Sequence, residues 1–167
     1  MLGKADFIEN EIGKWLSSIE LPIAFDLQYQ SDDSGNINVD IKLPDIADIP
    51  KEKATQLASG QVKRKAKTQK ELKYDYMCCI LGLSAFVASN IFGISPIIDE
   101  IIMSGYKLDR DKKTGEKIVN YVYSVKFLRN GFLRVNFENL DIVKFFEQFE
   151  NRYIANQSYD LKTIEPF

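Results

Sequence analysis

The sequence predicts one α+β domain over residues 1–167, with an antiparallel sheet of about four strands from two hairpins packed on a long central helix. Two segments alternate apolar and polar residues with a period of two on either side of a turn, as half-buried hairpins do. Between them, apolar residues recur with helical spacing and then occupy every side of the helix. Amphipathic helices are expected near both termini, with an irregular tail from about residue 156.

The composition is that of a globular protein. Of the 167 residues, 45% are hydrophobic and 28% are charged, so the chain can bury a core without disulfides or metals. The formal net charge of −2 gives no overall attraction to nucleic acid or an anionic membrane, so such a contact needs a local patch. Cys78 and Cys79 would point about 100° apart on a helix, which disfavours a mutual disulfide. With no signal peptide in the amino-terminal residues, we expect a cytoplasmic protein.

A change in the spacing of apolar residues predicts the first helix and the first hairpin. The helix has apolar residues at Ile8, Ile12, Trp15, Leu16 and Ile19, and Pro22 closes it. Alternation then gives one strand with Ile23, Phe25, Leu27 and Tyr29 on a single face, and a second with Ile37, Val39, Ile41 and Leu43. The polar segment 31–36 between them contains a late glycine, which predicts a turn with a left-handed residue.

The middle of the chain predicts the central helix. Residues 43–58 contain two prolines among acidic residues and are expected to form a surface connection. The helix should begin at Thr68, because Thr68 and Glu71 have the spacing of a capping box. Residues 77–98 are uncharged and nominally long enough to cross a bilayer. A glycine and a proline at residues 93–96 would break that helix partway, so we expect a buried core helix and no membrane contact.

The second hairpin and a short helix follow. Residues 97–108 and 118–127 predict antiparallel strands, joined by a turn at 109–117 that contains Thr114 and Gly115. Another turn is expected at Asn130 and Gly131. Asp141 should cap a short helix whose apolar residues are Ile142, Phe145, Phe146 and Phe149.

Several reaction classes are excluded by residue type. The chain contains no histidine, which removes serine–histidine and cysteine–histidine nucleophile pairs and every metal site that needs an imidazole. No glycine-rich loop joins a strand to a helix in a phosphate-binding pattern. We therefore expect no cofactor, no metal and no enzymatic activity.

One catalytic alternative remains open on the first hairpin. Asp26, Asp40 and Lys42 have the residue types of a metal-dependent nuclease, in which carboxylates hold the metal and lysine stabilises developing charge. If residues 33–35 form a three-residue turn, Asp26 falls opposite Lys42, and the same residues are then an exposed cross-strand ion pair. The acids Asp109, Asp111 and Glu116 lack the spacing of a calcium loop and fit a solvated hairpin tip.

A strongly basic segment enters the central helix. Its charged residues are Lys63, Arg64, Lys65, Lys67, Lys70 and Lys73. Lysine and arginine contacts with phosphate would give sequence-independent affinity for nucleic acid with a steep salt dependence. No aromatic residue interleaves with them before Tyr74, so stacking on single-stranded bases is unsupported. The alternative is a solvated helix face.

Four stretches resemble, in order, a module that lies upstream of the nuclease domain in bacterial Mrr-type restriction endonuclease proteins and in related uncharacterised bacterial proteins. They are "VDIKLPDIADIP" (39–50), "KTQKELKYDYMCCILGLSAFVASNIF" (67–92), "IIMSGYKLDRDKKTGEKIVNYVYSVKF" (101–127) and "VNFENLDIVKFFEQF" (135–149). In that family the cutting residues belong to a separate domain. The resemblance implies an accessory, recognition or assembly role in a prokaryotic restriction-like or defence-type setting, and it transfers no site residues.

Three functions follow from these patterns. The first is a non-catalytic module that binds another protein, or a second copy of itself, through an apolar patch or a sheet edge. The second is a DNA-binding accessory domain that uses the basic segment 63–73. The third is a metal-dependent nuclease that uses Asp26, Asp40 and Lys42.

Overall fold

A computed structural model describes residues 3–167. The helices are α1 (Lys4–Ser18), α2 (Gln69–Ile94), α3 (Arg129–Phe132) and α4 (Ile142–Glu147), with 3-10 turns at Ile46–Asp48 and Phe137–Asn139. The strands are β1 (Asp26–Ser31), β2 (Asn36–Lys42), β3 (Glu52–Gln56), β4 (Val62–Ala66), β5 (Glu100–Arg110), β6 (Lys117–Leu128) and β7 (Glu150–Tyr153).

The protein has a mixed α+β fold, as expected, but its main sheet differs from the prediction. Five strands lie in the order β1-β2-β5-β6-β7, and β2 and β5 run parallel while the other neighbours are antiparallel. The expected four-stranded antiparallel sheet is therefore wrong in both strand number and direction. The chain crosses over through α2 between β2 and β5, and such a crossover allows adjacent strands to run parallel.

All the helices cover the same face of the sheet. α1 contacts β1 and α2, while α2 contacts β5 and α4. The face beneath them carries the predicted apolar positions of β2, and Ile37, Val39 and Ile41 are buried there. The aromatic ring of Phe127 lies 5.1–6.0 Å from four other phenylalanine rings, those of Phe132, Phe145, Phe146 and Phe149. The short carboxyl-terminal helix thus completes the core.

Helix α2 begins where the capping box predicts. The Thr68 hydroxyl accepts a hydrogen bond from the Glu71 N–H at 3.2 Å, and the Glu71 carboxylate accepts one from the Thr68 N–H at 2.8 Å. The helix ends at Ile94, within the predicted break. By length and composition α2 could cross a membrane, but 56% of its most apolar window is buried inside the fold. That burial is compatible with the core helix of a soluble protein.

The sheet face opposite the helices is called the open face. Residues 162–167 lie against part of it: the Ile164 N–H donates to the Tyr121 carbonyl at 2.8 Å, and the Phe167 N–H donates to the Ser124 hydroxyl at 3.2 Å. The Arg152 guanidinium donates to the carbonyls of Glu165 and Pro166 at 3.2 and 3.0 Å. From residue 156 the chain has no helix or strand, as expected, but these hydrogen bonds attach it to the sheet.

Two local predictions were wrong, and one further strand was not predicted. Residues 43–58 are not a simple surface connection, because they include β3, which pairs with β4 as a separate antiparallel sheet. Asn130 and Gly131 lie within the one-turn helix α3 rather than a turn. The Arg129 side chain fixes that helix by donating to three carbonyls, those of Phe92, Ser95 and Ile98. Strand β7 was missed because it has only four residues and no alternating apolar pattern.

Candidate functional site

The β3–β4 pair, with its flanks, forms an exposed arm that we call the basic ribbon (residues 51–67). All ten residues of the two strands are exposed. At the tip, the Leu57 N–H donates to the Gln61 carbonyl at 2.8 Å, and Gly60 has a φ of +80°, which favours glycine. At the base, the Lys67 N–H donates to the Lys51 carbonyl at 2.9 Å. The ribbon therefore leaves and rejoins the body at one place.

The strand register gives the ribbon two different faces. Lys53 lies opposite Lys65, and Thr55 lies opposite Lys63, so these four side chains share one face. We call it the lysine face, and it contains no acidic residue. The other face carries Glu52, Ala54, Gln56, Val62, Arg64 and Ala66.

Charge is segregated between the ribbon and the rest of the chain. Residues 51–67 contain six lysine or arginine residues and one glutamate, which gives them a net charge of +5. Because the whole chain carries −2, the other residues together carry −7. A positive arm on a negative body concentrates the attraction for an anion at the arm.

Three of the six predicted basic residues are free for a partner. Within residues 3–167, Lys63, Arg64 and Lys65 have no carboxylate within 4.0 Å. The other three are engaged with the body. The Lys67 and Lys73 ammonium groups lie 2.7 Å from carboxylate oxygens of Asp75 and Asp160, and the Lys70 ammonium lies 5.5 Å from the centre of the Tyr159 ring.

Lys53 connects the ribbon to the start of α2. Its ammonium group donates to the Glu71 carboxylate, which also caps the helix. The hydrogen bond from Lys53 and those from Thr68 lower the pKa of Glu71 to about 2. Glu71 therefore stays ionised at neutral pH and holds the base of the ribbon beside the helix.

The sequence-based site omitted Lys53 and assigned no strand to this region. A signal was present, because Ser59 and Gly60 form a turn dipeptide between two polar segments of five residues each. Strand prediction depends on alternating apolar residues, and a ribbon with both faces in water has none.

Asp26, Asp40 and Lys42 of the first hairpin lie on the open face. Residues 33–35 form the three-residue turn, and Asp26 lies opposite Lys42, as the conditional prediction required. Asp40 accepts a hydrogen bond from the Tyr121 hydroxyl at 2.7 Å. Burial and this bond to Asp40 raise the pKa of Tyr121 to about 12. In the part of the chain that the structure describes, no three histidine, cysteine or acidic side chains are grouped to hold a metal ion.

A cleft of about 500 Å³ lies where the parallel strands β2 and β5 end. Its charged lining residues are Asp26, Lys42, Asp45, Asp48, Lys107 and Asp109. The Lys107 ammonium lies 4.6 Å from the centre of the Tyr76 ring, and burial lowers the pKa of this lysine. Four aspartates and two lysines line the cleft, so both signs of charge are present there.

The basic ribbon is thus the surface with the clearest chemical preference. Comparison of the chain with protein-family models, curated proteins and solved structures gives no significant match.

Proposed function

We propose that this chain is a non-catalytic accessory domain that binds nucleic acid through the basic ribbon. The observation that carries the proposal is the fully exposed two-stranded arm with a net charge of +5 on a body with −7. Lysine and arginine residues that neutralise phosphates release counterions, which supplies sequence-independent affinity. The acidic body repels phosphates, so it directs them to the arm.

The pairing of Lys53 with Lys65 supports an anionic partner. Like charges directly opposite each other destabilise a strand pair, and a two-stranded ribbon has little stability of its own. Glu71 offsets the charge of Lys53, but Lys65 has no such partner within residues 3–167. A phosphate group beside Lys63 and Lys65 would relieve the repulsion between the strands.

The biological setting that we propose comes from the sequence resemblance. A module similar to the one upstream of the nuclease domain in Mrr-type restriction proteins would hold nucleic acid while a separate domain or partner cuts it. This is an accessory role in a cytoplasmic, prokaryotic restriction-like or defence-type system. Catalysis by Asp26, Asp40 and Lys42 is not required for it.

A salt titration of duplex binding tests the proposal. Fluorescence anisotropy of a labelled duplex should show binding at low salt, with log K falling steeply against log salt. The double variant Lys63→Ala, Lys65→Ala should bind more weakly with a shallower slope. The matched control is Lys112→Ala, Lys113→Ala, which removes the same charge from the exposed tip of the β5–β6 hairpin. Equal weakening by both double variants, or no binding by the native chain, would refute the proposal.

A second candidate function is contact with another protein or a second copy of the chain. It is favoured by Leu108 and Val119, which lie opposite each other on β5 and β6 and are 41% and 50% exposed. Sedimentation at high protein concentration separates the two sources of association. A dimer formed through this apolar pair would persist in 1 M salt and be lost in Val119→Lys. A dimer formed between the ribbon and the acidic body of a second copy would dissociate in 1 M salt. A monomer under all conditions, with no protein captured from a cell extract, would remove this candidate.

The nuclease alternative has its own test. Incubation of the chain with duplex DNA and Mg²⁺ should give no cleavage if the role is accessory. Cleavage that requires the metal and is lost in Asp40→Ala would instead establish the open-face residues as a catalytic site.

A further inference from the structure

We infer that the lysine face of the ribbon docks in the major groove of B-form duplex DNA and grips its phosphates without reading base sequence. This inference rests on the proposed function and specifies the ligand and the contacting face. Four observations carry it: the absence of aromatic residues in the ribbon, its width, the different chemistry of its two faces, and the donors that it offers.

Single strands are a poor fit to the ribbon. Proteins that bind single-stranded nucleic acid combine a basic groove with aromatic side chains on which successive bases stack. Residues 51–67 contain no phenylalanine, tyrosine or tryptophan. The ribbon therefore offers charge without stacking, which suits the regular phosphate spacing of a duplex.

The width of the ribbon selects the groove. Paired strands lie about 4.8 Å apart, so two strands with their side chains fit a major groove about 12 Å wide but exceed a minor groove about 6 Å wide. The five residues of each strand extend about 17 Å at roughly 3.4 Å each. The ribbon is therefore long enough to reach the floor of the major groove, which is about 8.5 Å deep. Duplex RNA is excluded as the preferred ligand, because its major groove is deep and narrow.

The two faces differ in what they offer to DNA. The lysine face presents Thr55, Lys63 and Lys65, while Lys53 at its base is paired with Glu71. The opposite face carries Glu52 and mainly small or apolar side chains, including Val62, which is exposed. Arg64 is the one cation there. The lysine face therefore offers positive charge to the phosphates on both sides of a groove.

The donors on this face predict weak sequence preference. Lysine is a flexible point charge, whereas the planar arginine fork makes the bidentate contact that identifies guanine most often. Arg64, the one arginine of the ribbon, lies on the face turned away from the DNA. Positioning is then achieved by phosphate contacts, and discrimination between base pairs is small.

Two single variants of adjacent residues test the face assignment. Lys63→Ala and Arg64→Ala each remove one positive charge from the same exposed strand, so net charge and fold are matched. Lys63→Ala should reduce the salt slope of duplex binding by about 0.9, the contribution of one phosphate contact. Arg64→Ala should leave the slope unchanged. Equal reductions in both variants, or a reduction in Arg64→Ala alone, would overturn the face assignment.

Competition experiments on the native chain test the groove and the ligand. Unlabelled B-form duplexes of different sequence should displace the labelled duplex equally well, and single strands or duplex RNA of the same length should displace it less. A major-groove ligand such as methyl green should block binding, whereas a minor-groove ligand such as netropsin should not. Binding to DNA that single strands or netropsin abolish would overturn this inference and leave the proposed function intact. Failure to bind any nucleic acid would remove both.

Discussion

At the scale of single residues, Gly105 and Tyr123 pack closely against each other in the sheet. They lie opposite each other on β5 and β6, and a Cβ atom added at Gly105 would be 2.2 Å from the Tyr123 ring. Tyr123 is fully buried, and its hydroxyl contacts that of Ser84 on α2. The missing side chain at Gly105 therefore makes room for the ring that joins sheet and helix.

The substitution Gly105→Ala should lower the free energy of unfolding by about 1–3 kcal/mol, because the ring cannot move away from the new methyl group without disturbing the core. Gly82→Ala is the matched control. Gly82 lies inside α2 with open space around it, so alanine there should raise the free energy of unfolding by about 0.5–1 kcal/mol. Urea unfolding of both variants checks the opposite signs. A stable Gly105→Ala protein would show that the packing is looser than described.

At the scale of elements, the start of α2 joins helix capping to the ribbon. Glu71 has a pKa of about 2 in the folded protein, against an ordinary value of 4.5. Its ionised form therefore contributes stability that is fully present above pH 4.5 and is lost as the pH falls toward about 2. Below pH 4.5, the free energy of unfolding should fall more steeply in the native chain than in Glu71→Gln.

Unfolding by urea at several pH values between 6 and 2 measures that difference. Glu20→Gln, which removes an exposed carboxylate outside any helix or strand, is the control and should behave like the native chain. Parallel pH profiles for the native chain and Glu71→Gln would mean that, in solution, the capping box and Lys53 do not lower the pKa of Glu71.

Arg152 is one of the residues that attach the carboxyl-terminal segment to the sheet. Its guanidinium donates to two carbonyls of the segment and lies 4.0 Å from the centre of the Phe167 ring. In Arg152→Ala, amide exchange at Ile164 and Phe167 should be about tenfold faster, since hydrogen bonds to a charged group contribute about 1.5–3 kcal/mol. Exchange in the centre of β5 and β6 should not change. Arg134→Ala, at another exposed arginine, is the control, and equal exchange rates in all three proteins would contradict the attachment.

Sequence reasoning found the elements that have one apolar and one polar face or a clear capping signal. β2 was predictable because Ile37, Val39 and Ile41 alternate with polar residues, and α2 because Thr68 and Glu71 mark its start. β3 and β4 were not, because every one of their residues is exposed. The parallel pairing of β2 with β5 depends on tertiary contacts, which local periodicity does not encode. The basic segment at residues 63–67 was therefore visible in the sequence, but Lys53 and the pairing of these residues in a ribbon were not.

At the scale of the whole molecule, apolar side chains and positive charge are concentrated in different regions. Apolar side chains of α1, α2 and α4 lie between these helices and one face of the sheet, which provides the core. Positive charge is concentrated on an arm that contributes nothing to that core. The core and the proposed binding surface thus lie in different parts of the chain, so the arm should be removable without unfolding the body.

The most direct test replaces residues 52–66 with a short glycine–serine turn, which the hydrogen bond between Lys67 and Lys51 makes geometrically simple. Duplex binding at low salt and the thermal unfolding midpoint are measured for the intact and shortened chains. We predict that the two chains unfold at nearly the same temperature and that only the intact chain binds the duplex. If the shortened chain binds DNA as tightly as the intact one, or if neither binds, the basic ribbon is not the nucleic-acid interface.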